Sequence, residues 1–149
     1  MPDLRTIAMS SAALVVVVGT LTFFVSSAQE LPDGPVPIAF DKEACAYCHM
    51  HVGDPKFAAQ LQTKDGRVYN FDDPGCMLRY DEEQHPQVHA IYFRDVHEGC
   101  WLERSRAAFV RVSPTPMGFG LGAVDKETPG AIAWDAARKE LREWATRAH

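Results

Sequence analysis

An apolar segment near the N-terminus is the feature that most limits what this chain can fold into. Residues 7–25 are predominantly apolar, follow the basic Arg5 and precede the small residues at 26–28. A basic start, an apolar middle and a small-residue exit are the parts of a secretory signal. The segment is also long enough to cross a bilayer. We therefore expect residues 1–28 to be a signal peptide or an N-terminal membrane anchor, and the rest of the chain to lie outside the cytoplasm.

The remaining residues have the composition of one small globular domain. The chain is 46% hydrophobic and 23% charged, and its net charge of −5 comes from interspersed acids and bases. Nucleic acid is excluded as a partner, because phosphate binding needs a basic face. Three prolines within residues 29–40 predict an extended linker, which leaves 41–149 as the folded domain.

The hydropathy pattern predicts an α+β fold. Asp65-Gly66 between two strand-like runs indicates a hairpin, and Asp73 before Pro74 is typical of a helix start. We expect strands at 57–62, 67–71, 89–96, 107–112 and 118–124, a short helix over 75–80, a connection over 81–87 and a long helix over 129–148. This order, β-β-α followed by two or three strands and a helix, predicts two small α+β units that form one compact exported domain.

A dense group of metal-binding side chains precedes the first predicted strand. It comprises Cys45, Cys48, His49, Met50 and His51. Thiolate and thioether sulfur are the ligands that Cu(I) prefers, and residues two apart in an extended segment, such as Cys48 and Met50, point the same way.

A remote methionine is expected to complete the copper site. Met117 lies in the Pro-Thr-Pro-Met-Gly segment at 114–118, a proline–glycine frame suited to rigid presentation. Cys45 or His49 is expected to act as an additional or transfer ligand.

Three other chemistries compete with copper for the same cluster. Cys45, Cys48 and His49 match the C-x-x-C-H sequence that attaches haem in c-type cytochromes, with Met117 as the second axial ligand. Zinc would need a second close pair of ligands, and a dithiol redox site would need a strand–helix context that the pattern lacks. The monohaem cytochrome is therefore the main alternative.

The other two cysteines have no close partner in sequence. Cys76 falls in the predicted short helix beside Met77, and Cys100 follows a predicted turn. In an oxidising compartment such thiols pair or stay buried. We expect either a disulfide between them or two buried thiols, with Met77 in the core.

The chain resembles the NosL family of nitrous oxide reductase accessory proteins from about Cys45 to the C-terminal helix. The motifs that carry the resemblance are Cys48-His-Met50, Phe57-Ala-Ala-Gln60, Phe71-Asp-Asp-Pro-Gly-Cys-Met77, the Asp95–Trp101 segment and Thr115-Pro-Met-Gly-Phe-Gly120. The resemblance implies an exported or membrane-attached Cu(I) carrier with two ββαβ-like lobes, which supplies copper for the copper–sulfide cluster of nitrous oxide reductase.

The resemblance also implies a ligand set and partners. It assigns Cys48, Met50 and Met117 as the metal positions. The sequence departs from the family pattern in two ways: the lipid-bearing cysteine of known members is missing, and His49 stands where glycine is common. We therefore expect a non-catalytic copper chaperone that works between a membrane-bound copper donor and a periplasmic copper enzyme.

Overall fold

The computed structural model describes residues 31–147, and within this range the fold is α+β as predicted. The apolar segment 7–25 and its possible cleavage site lie outside the described residues. The elements are β1 (Ala59–Thr63), β2 (Val68–Phe71), α1 (Pro74–Gln84), β3 (Val88–Arg94), β4 (Trp101–Glu103), β5 (Ala107–Arg111), β6 (Leu121–Asp125) and α2 (Trp134–Arg147). Among the described residues, no helix combines the length and the apolar character that crossing a membrane requires.

The strands form two antiparallel sheets. The first has the order β2-β1-β3-β4, and the second pairs β5 with β6. The predicted hairpin at Asp65-Gly66 is confirmed, since β1 pairs with β2 in the register Ala59↔Phe71. The short strand β4 was not predicted; it extends the first sheet through the pairing Phe93↔Leu102.

An aromatic contact joins the two sheets into one core. Phe93 of β3 and Phe109 of β5 are both fully buried, with ring centroids 5.2 Å apart in an edge-to-face arrangement. Trp134 at the start of α2 lies 5.8 Å from the Phe93 ring. Such edge-to-face contacts add to the free energy gained from burying apolar area, so the sheets and α2 share a single core.

Helix α1 begins where the sequence predicts and ends later. Asp73 is the N-cap, its side chain accepts a hydrogen bond from the backbone N–H of Gly75 at 2.7 Å, and Pro74 occupies the first turn. The predicted connection over 81–87 is wrong for residues 81–84, which are helical. Asp81 forms an ion pair with Arg138 at 2.5 Å, and Glu82 pairs with Arg142 at 2.6 Å. These ion pairs connect the last turns of α1 with α2.

Helix α2 begins at Trp134, five residues after the predicted start at Pro129. Ile132 forms an isolated antiparallel bridge with Phe109, in which each backbone N–H donates to the other residue's carbonyl, at 2.9 and 2.7 Å. A residue bound to a strand in this way is extended, so the helix can start only after it.

Part of the predicted linker lies against β1. The fully buried Gln60 accepts from the Val36 N–H at 2.8 Å and donates to the Val36 carbonyl at 2.9 Å. Gln62, also fully buried, donates to the Gly34 carbonyl at 2.8 Å. Both edges of β1 are already paired, with β2 and β3, so the glutamine side chains bind residues 34–36 over a face of the sheet.

Candidate metal centre

The segment from Cys45 to Met50 is a tight loop that closes on itself. The Cys45 N–H donates to the Met50 carbonyl at 2.7 Å, and the His49 N–H donates to the Cys45 carbonyl at 3.0 Å. His49 adopts a left-handed backbone conformation with φ of 63°, which glycine accepts more readily than histidine. This turn places Cys45 inside the domain, while His49 and Met50 remain at the surface.

Three cysteine sulfurs converge beneath this loop. The Sγ atoms of Cys45, Cys48 and Cys76 all lie within 4.8 Å of one another. Cys45 and Cys76 are fully buried, whereas Cys48 is half-buried. Three sulfurs this close form a donor set suited to a soft metal ion.

The three thiols of this cluster differ in pKa. The hydrogen bond from the Cys76 thiol lowers the pKa of Cys45 to about 5, against the opposing effect of burial. Backbone hydrogen bonds at Cys48, Asp72 and Tyr47 lower it further. The same Cys45–Cys76 contact, together with burial, raises the pKa of Cys76, and burial raises the pKa of Cys48. Cys45 is therefore the first thiolate of the group.

Tyr47 fastens the loop to helix α1. Its hydroxyl donates to Glu83 at 3.0 Å, and the Arg79 guanidinium lies 5.4 Å from the centre of the Tyr47 ring. Burial raises the pKa of Tyr47 to about 12, so its hydroxyl remains a donor at neutral pH. On the other side of the loop, the Ala46 N–H donates to the Asn70 carbonyl of β2 at 2.9 Å. The loop is thus attached to both the sheet and the helix.

The segment that carries Met117 reaches the N-terminus of the same helix. The Met117 N–H donates to the Asp73 carboxylate at 3.2 Å. Phe119 packs so closely on Gly75 that a Cβ built on this glycine would lie 2.4 Å from the Phe119 ring. Residues 114–116 also face Gly53 and Asp54 across a shallow groove. The segment after the cysteine loop and the Met117 segment therefore meet beside the first turn of α1.

The structure places the residues predicted for the site in three environments. Cys45 and Cys48 are brought together in the thiol cluster. Met50 is 57% exposed and His49 is also exposed. Met117 is half-buried and packs against the core.

Cys76 is the functional candidate that the sequence analysis missed. All four cysteines lie within the described range and none forms a disulfide, so the expected alternative of a Cys76–Cys100 bond is not realised. Cys100 is exposed, and Cys76 is a buried thiol against Cys45. The signal that was available is its place in the first turn after the N-cap Asp73, which fixes Cys76 at a helix N-terminus.

Burial also bears on the haem alternative. In a c-type cytochrome, both sulfurs of the C-x-x-C-H sequence must be accessible, because both form thioether bonds to the same porphyrin. Cys45 is fully enclosed and contacts Cys76 instead. The geometry therefore favours a small ion over a porphyrin.

Comparison with known proteins identifies the relatives of this fold. The NosL family model matches residues 35–139. The crystal structure of the copper chaperone NosL from Shewanella denitrificans is similar, with a TM-score of 0.54 and 17% sequence identity, over 75% of this chain and 89% of that one. No curated protein matches the chain.

Proposed function

Since the chain belongs to the NosL family, we propose that it is a Cu(I) carrier that passes the ion to another protein. The similar structure is that of a copper chaperone. The observation that carries the proposal is that the cysteine loop and the Met117 segment both contact the N-terminus of α1, the loop through Cys45 and Cys76 and the segment through the Met117 N–H, which donates to Asp73 at 3.2 Å. Segments that carry sulfur donors and are distant in the sequence are thereby both attached to α1.

The ligands of the transferable ion are Cys48, Met50 and Met117. A thiolate neutralises the charge of Cu(I), and neutral thioethers favour Cu(I) over Zn²⁺ without adding charge. Met50 is exposed and Cys48 is half-buried, so an incoming ligand of the client can reach the ion before the carrier releases it. Cys45 or His49 serves as an additional or transfer ligand. The protein has no catalytic turnover in this proposal.

The location and partners follow from the same proposal. The N-terminal segment directs the domain out of the cytoplasm, either cleaved or retained as an anchor at residues 7–25. A membrane-bound component donates the copper, and a periplasmic copper enzyme of the nitrous oxide reductase kind accepts it. A direct test is transfer of Cu(I) from the loaded carrier to the copper-free form of that enzyme, measured by metal analysis after separation.

Replacing Met117 tests the remote ligand. Met117→Ala and Met117→Leu should each weaken Cu(I) binding by more than about tenfold, because a ligand is expected to contribute at least as much as the groups that merely orient one. The measurement is a competition titration with a Cu(I) chelator under anaerobic conditions. Leucine preserves the packing volume, so an equal effect of both substitutions would assign the loss to sulfur.

The matched control is Met77→Leu, the same chemical change at a fully buried methionine beside Cys76. This variant should bind Cu(I) as the unmodified chain does. Wild-type affinity in Met117→Leu would remove Met117 from the site. Protein purified from its natural compartment should also lack a Soret band, and an intense one would favour the cytochrome alternative.

A further inference from the structure

The number of sulfurs near α1 exceeds what one Cu(I) ion can use. The proposed exchange site takes one thiolate and two thioethers, from Cys48, Met50 and Met117. The cluster of Cys45, Cys48 and Cys76 supplies two more sulfurs, within 4.8 Å of the Cys48 sulfur and of each other. An ion of low coordination number needs at most one of these two thiols, Cys45 as the additional or transfer ligand, so Cys76 is left without a role in the exchange site.

We propose that Cys45, Cys48 and Cys76 form a second, inner Cu(I) site, with Cys48 as the sulfur shared between the inner and the exchange site. This inference rests on the proposed function. It assigns Cys76 of α1 as a direct metal ligand, a role that the family motif Cys-x-Met does not include.

The spacing of the three sulfurs fits a trigonal ion. A metal–sulfur bond of about 2.3 Å places three trigonal sulfurs about 4.0 Å apart. The separations in the cluster do not exceed 4.8 Å, so small side-chain movements suffice. The loop and the helix that carry the cysteines are already tied together by the Tyr47–Glu83 hydrogen bond of 3.0 Å.

The surroundings of the cluster supply polar contacts to the sulfurs. Cys76 lies in the first turn of α1, and backbone hydrogen bonds at Tyr47, Cys48 and Asp72 reach the Cys45 sulfur. These contacts, together with the attachment of the loop to α1 through Tyr47, hold the sulfurs in place for an ion.

The two sites differ in access. Cys45 and Cys76 are fully buried, so the inner ion can exchange only through the half-buried Cys48. On binding, each sulfur that still carries a proton releases it to solvent, and each of the three sulfurs forms one bond to the inner ion, while Cys48 keeps its bond to the ion of the exchange site. On release, each bond to the inner ion breaks as one to the next ligand forms, the thiolate regains a proton, and the ion remains Cu(I) throughout. The inner site therefore holds copper in reserve behind the exchange site.

Stoichiometry tests the inner site. In anaerobic titration with Cu(I) against a chelator, the full chain should bind two equivalents, and Cys76→Ser should bind only one. Cys45→Ser removes the same site from the loop side and should also bind one. Thermal melts of the metal-free variants establish whether each is folded. The matched control is Cys100→Ser, the same change at an exposed cysteine, which should retain two equivalents.

The outcomes separate this inference from the proposed function. Saturation of the full chain at one equivalent would overturn the inner site, as would two equivalents in folded Cys76→Ser and Cys45→Ser. A chain that binds two equivalents but never donates copper to a copper-free client, and that is unaffected by Met117→Leu, would retain the inner site and lose the carrier function.

Discussion

Cys48→Ser should reduce Cu(I) affinity more than any other single substitution, by roughly a hundredfold or more. In the proposed arrangement, Cys48 is the thiolate of the exchange site and the sulfur shared with the inner site, so its loss affects both ions at once. Groups that only orient a ligand already contribute about 10- to 100-fold to metal affinity, and a hydroxyl is a poor ligand for this soft ion. A hundredfold loss corresponds to about 2.7 kcal/mol of binding free energy.

The measurement is the same competition titration, with affinity determined at both equivalents. Cys48 is half-buried at the surface of the loop, so serine should leave the metal-free fold intact in circular dichroism and thermal melts. Cys100→Ser again gives the matched comparison. Retention of tight binding in Cys48→Ser would contradict both the exchange site and the inner site, because neither ion would then depend on Cys48.

Asp73→Ala should lower the free energy of unfolding of the metal-free domain by about 2 to 4 kcal/mol. One carboxylate oxygen caps α1 through the Gly75 N–H at 2.7 Å, and the other accepts from the Met117 N–H at 3.2 Å. Loss of an N-cap costs about 1 kcal/mol, and loss of a hydrogen bond to a charged group, here at a part-buried position, costs about 1.5–3 kcal/mol. Chemical denaturation at neutral pH measures the change.

Asp73→Asn separates the two roles of this residue. Its amide oxygen can still cap the helix, but its NH₂ group faces the Met117 N–H, donor against donor. We expect a smaller loss of stability than for alanine, together with weaker Cu(I) binding, because the Met117 segment loses its anchor. Asp135→Asn is the matched control, since Asp135 is an exposed acid in the first turn of α2. Identical Cu(I) affinity in Asp73→Asn and Asp135→Asn would show that Asp73 does not position Met117.

Local chemistry predicted the parts of the fold that depend on neighbouring residues. The hairpin at Asp65-Gly66 and the cap at Asp73 are encoded within a few positions, and both are confirmed. The three-residue strand β4 is too short to show alternation, so only its pairing with β3 reveals it. The ends of the helices were misplaced because contacts with other elements determine them.

In the candidate site, too, only the features that depend on neighbouring residues could be predicted from the sequence. Cys45 and Cys48 are close in sequence, so their grouping was visible from the start. The role of Cys76 depends on α1 packing under the cysteine loop, which no spacing along the chain indicates. The sequence therefore presented Cys76 as a partner for Cys100, although the fold buries one and exposes the other.

The contact of Phe119 with Gly75 continues to the C-terminal helix. The Phe119 ring also packs edge-to-face on Trp144 of α2, with centroids 4.9 Å apart, and Trp144 lies beyond the residues that the family model matches. The last turns of α2 thus pack against the Met117 segment through Trp144 and Phe119. Substitution of Trp144 would therefore change the position of the Met117 segment, and with it the affinity of the proposed copper site, without altering any sulfur atom.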